Sequence, residues 1–345
     1  MKAESARFFA EKFSERWADR TKFHSSKFKM ISDASCGFLE ENFSCEEIKN
    51  AIWSCGSEKA PGPDGFTFKF FKRFWSIQKD DIVGCVRYFE AFGSLSRGCN
   101  SSFITLVAKT KDPLVLNDYR PIILIGSIYK IISKLLASRL KSVISECIDE
   151  VQTAFVANRY ILEGPLIVNE ICSWGKAKKK KILIFKADFN KAFDSLNWGY
   201  LDSTMSQKNF GSKWRMWTRG CLASTKASVI VNGRVTCEFP LQKGVRQGDP
   251  LSPFLFIMEM EDLNIAMKEA VEKGIFKGLS IPNVRPPMSH IFYADDVIFL
   301  GEWSKHNIDN LGRILRCFYV SSGLQVNFKK SKLVGSGVID REVER

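Results

Sequence analysis

The sequence lacks paired cysteines, long apolar runs and an N-terminal leader pattern. Its ten cysteines are scattered, and no two have the two-residue spacing of a zinc or redox motif. A disulfide framework is not expected in an intracellular chain of this size, so we predict reduced thiols. No stretch reaches the roughly 20 apolar residues of a membrane span, and no apolar segment follows the charged residues 1–7. We therefore expect an intracellular protein, in the nucleus, the cytoplasm or both, with no membrane partner.

Histidine is scarce as well, with His24, His290 and His306 as the three in the chain. A two-metal nuclease would need further acids and usually a histidine in its site. His290 lies in an apolar stretch that predicts a strand. The sequence therefore gives little support to a two-metal nuclease.

Positive charge and apolar residues are abundant. The 345 residues are 45% hydrophobic and 26% charged, which is ordinary for a globular protein with a sizeable core. The net charge is +13 at pH 7. Such an excess predicts a polyanionic partner, either nucleic acid or an acidic membrane surface.

Two adjacent acids lie at the tip of a predicted β-hairpin. The apolar runs 291–293 and 297–300 flank the short segment that contains Asp295 and Asp296. Because successive side chains of a strand alternate between its faces, the two carboxylates should not point the same way. A single carboxylate is a weak metal ligand, so a metal site would need another acid from elsewhere in the chain.

Asp188 is the candidate for that further acid, because it ends the apolar strand predicted at 182–188. If this strand lies beside the hairpin, Asp188 and Asp295 could share hard cations. Mg²⁺ prefers oxygen ligands and usually takes one or two carboxylates together with substrate phosphates. The alternative is ordinary turn chemistry, since an Asp-Asp pair is common in tight turns.

Two loops rich in glycine and proline are further candidates for ligand contact. The loop at 57–65 precedes a helical pattern at 66–75, so it either offers backbone N–H groups to phosphate or forms a structural elbow. The loop at 244–253 precedes a predicted helix at 254–270. Elsewhere, the apolar stripe at 127–147 predicts a core helix with a basic outer face.

Two basic residues and one aromatic residue also stand out. Lys109 follows the strand predicted at 103–108, and Arg120 lies at the other end of the same turn, so the pair could hold a triphosphate or form a solvated basic turn. Phe193 follows Asp188 by five residues and is either a ring beneath a nucleotide sugar or a core aromatic. Asp194 is a candidate cap for the next helix.

Six motifs together resemble the reverse transcriptase domain of non-LTR, LINE-type retrotransposons in the form common in plants. They occur in the family's order and with its spacing, over roughly residues 40–335. The motifs are KAPGPDG at 59–65, YRPI at 119–122, FKADFNKAFD at 185–194, RQGDPLSP at 246–253, YADD at 293–296 and GLQVNFKKSK at 323–332.

The resemblance implies an α+β, right-hand polymerase fold. It implies a palm with an antiparallel sheet packed on helices, fingers of helices and strands, and a thumb that is missing or truncated. The implied divisions are an N-terminal helical extension at 1–55, interleaved fingers and palm at 56–335, and a truncated tail at 336–345. The endonuclease of full-length elements is not expected within this chain.

The resemblance also implies a role for each matching residue. Asp188, Asp295 and Asp296 match the catalytic acids that bind two Mg²⁺ ions, with Mn²⁺ as a possible substitute. Phe193 matches the steric gate against a ribose 2′-OH. The dNTP-binding positions are Phe189, Phe193, Lys109, Arg120, Gln247 and Gly248, and Lys329 is the closest match to a late palm lysine.

The implied activity is RNA-directed DNA polymerisation, with an RNA template, a DNA primer and dNTPs as partners. The alternative is a truncated, catalytically weak or inactive retroelement remnant that at most binds nucleic acid. Intact acids favour the first interpretation, and the expected truncation favours the second. The sequence gives no indication of oligomeric state.

Overall fold

The computed structural model describes residues 2–17, 20–282, 284 and 286–338. These residues form two compact units, each assembled from separate chain segments. Unit 1 contains the described residues of 1–18, 31–143 and 209–255, and unit 2 those of 19–30, 144–208 and 256–345. The predicted boundaries near residues 55 and 335 stay a prediction, and residues 339–345 of the predicted tail lie outside the described residues.

Helices and short strands alternate along the described residues, which confirms the predicted mixture of α and β structure. The helices are α1 (Lys2–Phe13), α2 (Asp33–Glu40), α3 (Cys45–Trp53), α4 (Phe68–Arg73), α5 (Trp75–Phe92), α6 (Ser127–Cys147), α7 (Glu163–Ala177), α8 (Ala192–Ser195), α9 (Trp198–Gln207), α10 (Ser212–Ala223), α11 (Ser252–Glu272) and α12 (Lys305–Ser322). The strands are β1 (Ser101–Ala108), β2 (Tyr119–Ile125), β3 (Ile182–Ala187), β4 (Lys226–Val231), β5 (Arg234–Val235), β6 (Phe239–Pro240), β7 (His290–Tyr293), β8 (Asp296–Glu302) and β9 (Lys332–Ser336).

The start of α6 is fixed by the loop at 57–65. The Asp64 carboxylate accepts a hydrogen bond from the Ser127 N–H, which places negative charge where a helix N-terminus favours it. In the same loop, a Cβ on Gly62 would lie 2.2 Å from the Ile125 carbonyl oxygen, so only glycine permits this approach. These contacts support the structural elbow, the second of the two alternatives for the loop.

Unit 1 contains a sheet with the strand order β2-β1-β4-β5, and β6 also pairs with β4. Strands β1 and β2 are antiparallel, and Ala108 opposes Tyr119 at the end near the connecting loop. Strands β1 and β4 are parallel, with Ser101 opposite Lys226. The turn between β4 and β5 is Asn232-Gly233, a dipeptide that favours tight hairpins.

Unit 2 contains a four-stranded antiparallel sheet with the order β7-β8-β3-β9. Alternation along β3 gives the sheet two apolar faces, so each must pack against other elements. On one face, Ile182, Ile291 and Leu300 pack with Ile171 of α7. On the other, the rings of Phe185 and Phe299 lie parallel, with centroids 6.3 Å apart. Apolar side chains therefore line both faces of the sheet.

Three details of the sequence-based secondary structure were wrong. The helix predicted at 66–75 is divided at Phe74, whose backbone is not helical and whose ring packs on that of Phe70. Asp194 lies within α8, and the cap of α9 is Asn197, whose side chain accepts from the Tyr200 N–H at 2.9 Å.

The third error concerns residues 322–332, whose pattern predicts a short strand followed by a basic loop. Val326 makes only an isolated bridge to Phe189, and the strand itself is β9, which begins at Lys332. The position of β9 is determined by its pairing with β3, and the local sequence of β9 carries no signal for that pairing.

The ten cysteines are all free thiols, as predicted. Among the helices of the described residues, none combines the length and apolarity that crossing a lipid bilayer requires.

Candidate active site

The register of β3 and β8 brings two of the predicted acids to one edge of the sheet in unit 2. Ala187 opposes Val297, Asp188 directly follows β3, and Asp296 is the first residue of β8. Directly opposite residues of an antiparallel pair have Cα atoms roughly 4.5–5.5 Å apart. Asp188 and Asp296 also share the strand face of Lys186, because side chains two residues apart point the same way.

Asp295 lies in the two-residue turn between β7 and β8, next to Ala294. Ala294 has φ of +53°, in the left-handed region that favours glycine, so this turn carries backbone strain. Strained backbone persists only where surrounding structure holds it, and it occurs often at functional sites. The hairpin predicted from the two apolar runs is thus present, with Asp295 at its tip.

The carboxylates of Asp188 and Asp296 act electrostatically on Asp295. Partial desolvation raises the pKa of Asp295, and the charges of Asp296 and Asp188 raise it further, whereas a backbone hydrogen bond and Lys186 act in the opposite direction. The Lys186 ammonium forms an ion pair with Asp296, with an Nζ–Oδ1 distance of 3.1 Å. A concentration of carboxylates with mutual repulsion is what a divalent cation would neutralise.

The donor chemistry fits Mg²⁺, because the three acids supply only the hard oxygen ligands that it prefers. Within the described residues, however, no group of three His, Cys, Asp or Glu side chains is arranged to hold a metal ion. Mg²⁺ sites often use one or two carboxylates and complete their coordination with water and substrate phosphates. The carboxylates of Asp188 and Asp295 are therefore ligands of the type and number that a Mg²⁺ site can use. The carboxylate of Asp296 is already paired with Lys186.

The loop after α12 holds the main chain of Asp188. The Ser331 hydroxyl accepts from the Asp188 N–H at 3.0 Å, and the Asn327 N–H donates to the Asp188 carbonyl at 2.7 Å. Lys329, the predicted late palm lysine, is exposed within this same loop. The loop thus places a lysine next to the segment that fixes the first acid.

The two predicted aromatic positions differ in their surroundings. Phe189 is 6% exposed, and its ring packs edge-on against Phe318 of α12. A nucleotide contact at Phe189 would therefore come from its main chain. Phe193 is half-buried, and one face of its ring stacks on Phe256 with centroids 4.5 Å apart. Because the side chain is only partly buried, the gate role stays a prediction.

Lys109 and Arg120 are both exposed and lie on the β1–β2 ribbon of unit 1. The Lys109 N–H donates to the Asp118 carbonyl, and Arg120 opposes Val107, so the register puts the two basic side chains on one face. The Lys109 ammonium donates to the Asn117 carbonyl at 2.9 Å, which holds it against the loop.

Gln247 and Gly248 lie in the loop before α11, where Gly248 has φ of +101° and is exposed. The loop is fixed by the buried Asp249, whose carboxylate accepts hydrogen bonds from the hydroxyls of Tyr129 and Ser133. The Arg246 guanidinium stacks on the Tyr129 ring at 3.6 Å. The buried neighbours of Gln247 and Gly248 therefore set the position of both residues.

His290 has no open ligand position. Its Nε2 pairs with Asn264 at 2.8 Å and its Nδ1 pairs with Ser289 at 2.8 Å. Burial lowers its pKa to about 3, so the ring is neutral at physiological pH. His290 is thus a hydrogen-bonded core histidine, as its predicted strand position suggested.

Sequence reasoning missed three residues that shape these sites. Lys186 could have been noted from its position two residues before Asp188. Asp249 was included in a motif but not identified as a buried anchor. Gln152 had no sequence signal, because its contact with the hairpin joins segments about 140 residues apart.

The comparison with known families assigns the chain to a class of proteins. A family model described as reverse transcriptase (RNA-dependent DNA polymerase) matches residues 107–339. The chain therefore belongs to the reverse transcriptase family. The resemblance to the enzymes of non-LTR retrotransposons is confirmed by the relatives it matches.

One relative is the transposon TX1 uncharacterized 149 kDa protein of Xenopus laevis, 28% identical over 90% of this chain and 24% of its own length. The retrovirus-related Pol polyprotein of the type-1 retrotransposable element R2 of Popillia japonica is 24% identical over 83% of this chain and 38% of its own length. The corresponding polyprotein of type-2 element R2DM of Drosophila melanogaster is 26% identical over 88% of this chain and 28% of its own length. The chain thus spans well under half of each relative.

Proposed function

We propose that this chain is the catalytic core of an RNA-directed DNA polymerase, which extends a DNA primer on an RNA template. The observation that carries the proposal is the β3–β8 register, which brings Asp188 and Asp296 to one sheet edge beside Asp295. Membership of the reverse transcriptase family supports the same activity. We also propose that the chain has the right-hand arrangement of fingers and palm.

The reaction joins the α-phosphate of a dNTP to the primer 3′-OH and releases pyrophosphate. Asp188 and Asp295 would hold two divalent cations, and Asp296 would assist from the adjacent strand position. Bound Mg²⁺ or Mn²⁺ would supply Lewis-acid activation of the 3′-OH and charge neutralisation of the leaving pyrophosphate. The chain itself contributes fixed carboxylates on a rigid sheet, which favours a preorganised site.

The remaining predicted residues contribute binding and selectivity. Lys109 and Arg120 bind the negatively charged triphosphate through charge-assisted hydrogen bonds. Phe193 excludes the ribose 2′-OH and so favours deoxynucleotides. Gln247 and Gly248 pack against the incoming nucleotide, and the main chain at Phe189 lies near it. Lys329 adds positive charge in the loop that holds Asp188.

The net charge of the chain and its family both support an RNA template and a DNA primer as partners. A net charge of +13 suits an anionic template–primer hybrid. Such a hybrid is recognised by its shape and backbone, with little reading of base edges. The names of two relatives describe them as Pol polyproteins of retrotransposable elements, which agrees with a polymerase core.

The proposal is tested by primer extension on an RNA template with dNTPs and Mg²⁺. Asp188→Asn and Asp295→Asn should each reduce the rate roughly 10³-fold, because loss of a cation that contributes several kcal/mol has that effect. Glu302→Gln is the matched control, since Glu302 is an exposed acid at the opposite end of β8. This variant should extend primers at the wild-type rate.

Absence of extension by the folded wild-type chain, with binding to the RNA–DNA hybrid retained, would contradict the polymerase proposal. That result would support the alternative of a retroelement remnant that only binds nucleic acid.

A further inference from the structure

The strained turn at the tip of the catalytic hairpin is held by a residue that none of the motifs contains. The Gln152 side-chain carbonyl accepts a hydrogen bond from the Ala294 N–H at 2.9 Å. The same oxygen accepts from the Ala154 N–H at 3.0 Å. Gln152 is 1% exposed, so both bonds are shielded from water. Ala294 is the turn residue directly before Asp295.

The segment around Gln152 is attached to β7 by an isolated parallel β-bridge between Gln152 and Phe292. The Phe292 N–H donates to the Val151 carbonyl at 2.8 Å, and the Thr153 N–H donates to the Phe292 carbonyl at 2.9 Å. The Thr153 hydroxyl donates to that same Phe292 carbonyl at 3.2 Å. These bonds fix the distance from Gln152 to the turn.

Arg159 in turn holds the backbone from which Gln152 extends. Its guanidinium donates to the Gln152 carbonyl at 2.6 Å and to the Ile148 carbonyl at 3.1 Å. It also donates to the carbonyl of Asp149. Three main-chain oxygens bound by one rigid cation leave this segment little freedom to move.

The choice of an amide at position 152 has a physical reason. Gln152 Nε2 is buried, and no hydrogen-bond partner for it lies among the described residues. A glutamate could accept both backbone bonds without an unused N–H, but it would add a buried negative charge beside Asp295. A neutral acceptor therefore holds the turn without adding negative charge beside Asp295.

We propose that Gln152 is a positioning residue that fixes the Ala294 turn and thereby the orientation of Asp295. The inference rests on the proposed function, in which Asp295 binds a catalytic cation. Gln152 acts through the main chain and touches neither substrate nor cation. Removal of such a supporting hydrogen bond typically weakens metal binding or activity about 10- to 100-fold.

The test uses the full chain and two measurements that do not require catalysis. The first is a Mn²⁺ titration followed by electron paramagnetic resonance, and the second is hydrogen exchange of the Ala294 amide. Gln152→Leu removes the acceptor oxygen, and Gln152→Asn moves it away from the turn by shortening the side chain. Each should weaken Mn²⁺ binding about tenfold and speed exchange of Ala294 about tenfold.

Two further variants separate positioning from general loss of stability. Gln152→Glu keeps an acceptor oxygen, so the exchange rate of Ala294 should stay within about twofold of the wild type. Asn307→Leu removes another buried side-chain amide of unit 2, one that binds the Lys277 backbone and the Glu302 carbonyl. This variant should leave Mn²⁺ affinity and Ala294 exchange unchanged even if its unfolding free energy falls.

The Asp295→Asn variant distinguishes failure of the positioning role of Gln152 from failure of the proposed metal site. If it weakens Mn²⁺ binding while Gln152→Leu and Gln152→Asn do not, Gln152 is not a positioning residue, although the metal role of Asp295 stands. If Asp295→Asn has no effect on Mn²⁺ binding, the proposed metal site fails, and the role of Gln152 fails with it. Equal loss of Mn²⁺ affinity in Asn307→Leu would also overturn the positioning role.

Discussion

Lys186 and Asp296 form an ion pair between neighbouring strands, with 3.1 Å between Nζ and Oδ1. Their side chains are 55% and 63% exposed, so the pair contributes little to the stability of the fold. Its effect is local, because the ammonium is a positive charge among the acids of the sheet edge. A divalent cation at this edge would compete with Lys186 for Asp296.

Replacement of Lys186 should therefore strengthen cation binding. We expect Lys186→Met to raise Mn²⁺ affinity about two- to tenfold, because it removes a charge repulsion on the order of 1 kcal/mol at an exposed site. The free energy of unfolding should change by less than about 1 kcal/mol. Mn²⁺ titration and urea unfolding measure these two quantities.

Lys178→Met is the matched control, because it removes an exposed lysine from the loop before β3. Equal affinity changes in both variants would show that net charge, and not the pair with Asp296, is responsible.

Phe193 gives a prediction about sugar selectivity. Phe193→Val or Phe193→Ala should increase ribonucleotide incorporation relative to deoxynucleotides, because a smaller side chain leaves space for the 2′-OH. The measurement compares single-nucleotide extension with rNTP and dNTP. Phe256→Leu serves as the control, since it removes the ring stacked on Phe193 but keeps the gate side chain. An active Phe193→Ala enzyme with wild-type selectivity would refute the gate assignment.

His290 should make stability depend on pH. Burial lowers its pKa to about 3, whereas an unfolded histidine titrates near 6.5. Below about pH 6.5 the unfolded chain therefore binds a proton that the folded chain does not. The stabilisation present above that pH is lost as pH falls, by about 2 kcal/mol between pH 7 and pH 5. Urea unfolding over this range should show a smaller decline in His290→Gln.

Buried acids contribute the opposite slope, so the comparison between variants matters more than the wild-type curve alone. Burial raises the pKa of Asp262 to about 7 and also raises that of Glu261. Because the folded state binds their protons more tightly than the unfolded state, such acids lower the stability of the protein as pH rises. His306→Gln is the control, because His306 is exposed. If His290→Gln and the wild type have equal slopes, the folded protein binds a proton at His290 near the ordinary pKa.

Asp249 gives a prediction about the loop of Gln247 and Gly248. Asp249→Asn leaves the buried Arg246 guanidinium without its carboxylate, whose Oδ2 lies 3.6 Å from Nε. Breaking a buried pair in this way should cost about 3–5 kcal/mol of unfolding free energy. Tyr129→Phe removes only one hydrogen bond to Asp249 and should cost about 1 kcal/mol. Urea unfolding compares the two, and similar losses would show that the charge pair is unimportant.

The parts of the fold with a clear local pattern were predictable. The apolar stripe gave the bounds of α6. Ser44 is followed three residues later by Glu47, which is the sequence pattern of a capping box, and the structure contains this box at the start of α3. Local apolar runs likewise predicted the strands before and after Asp295. These elements need few distant contacts to specify their type.

Features that depend on distant partners were not predictable. The φ of Ala294 is held by Gln152, which lies 142 residues away in the chain. The position of β9 is set by β3, although Gly335 weakens its own strand signal. The acids were recognised through family motifs, whereas the residues that hold them appear only when the chain is folded.

The parallel pairing of β1 with β4 constrains how the chain can fold during synthesis. Ser101 opposes Lys226, so 125 residues separate the paired positions. At roughly 5–20 residues per second, a ribosome needs about 6–25 seconds to make that stretch. During this interval Ile104, which is fully buried in the finished protein, has no β4 neighbour. Nascent chains of this protein should therefore depend on chaperones that bind exposed apolar strands.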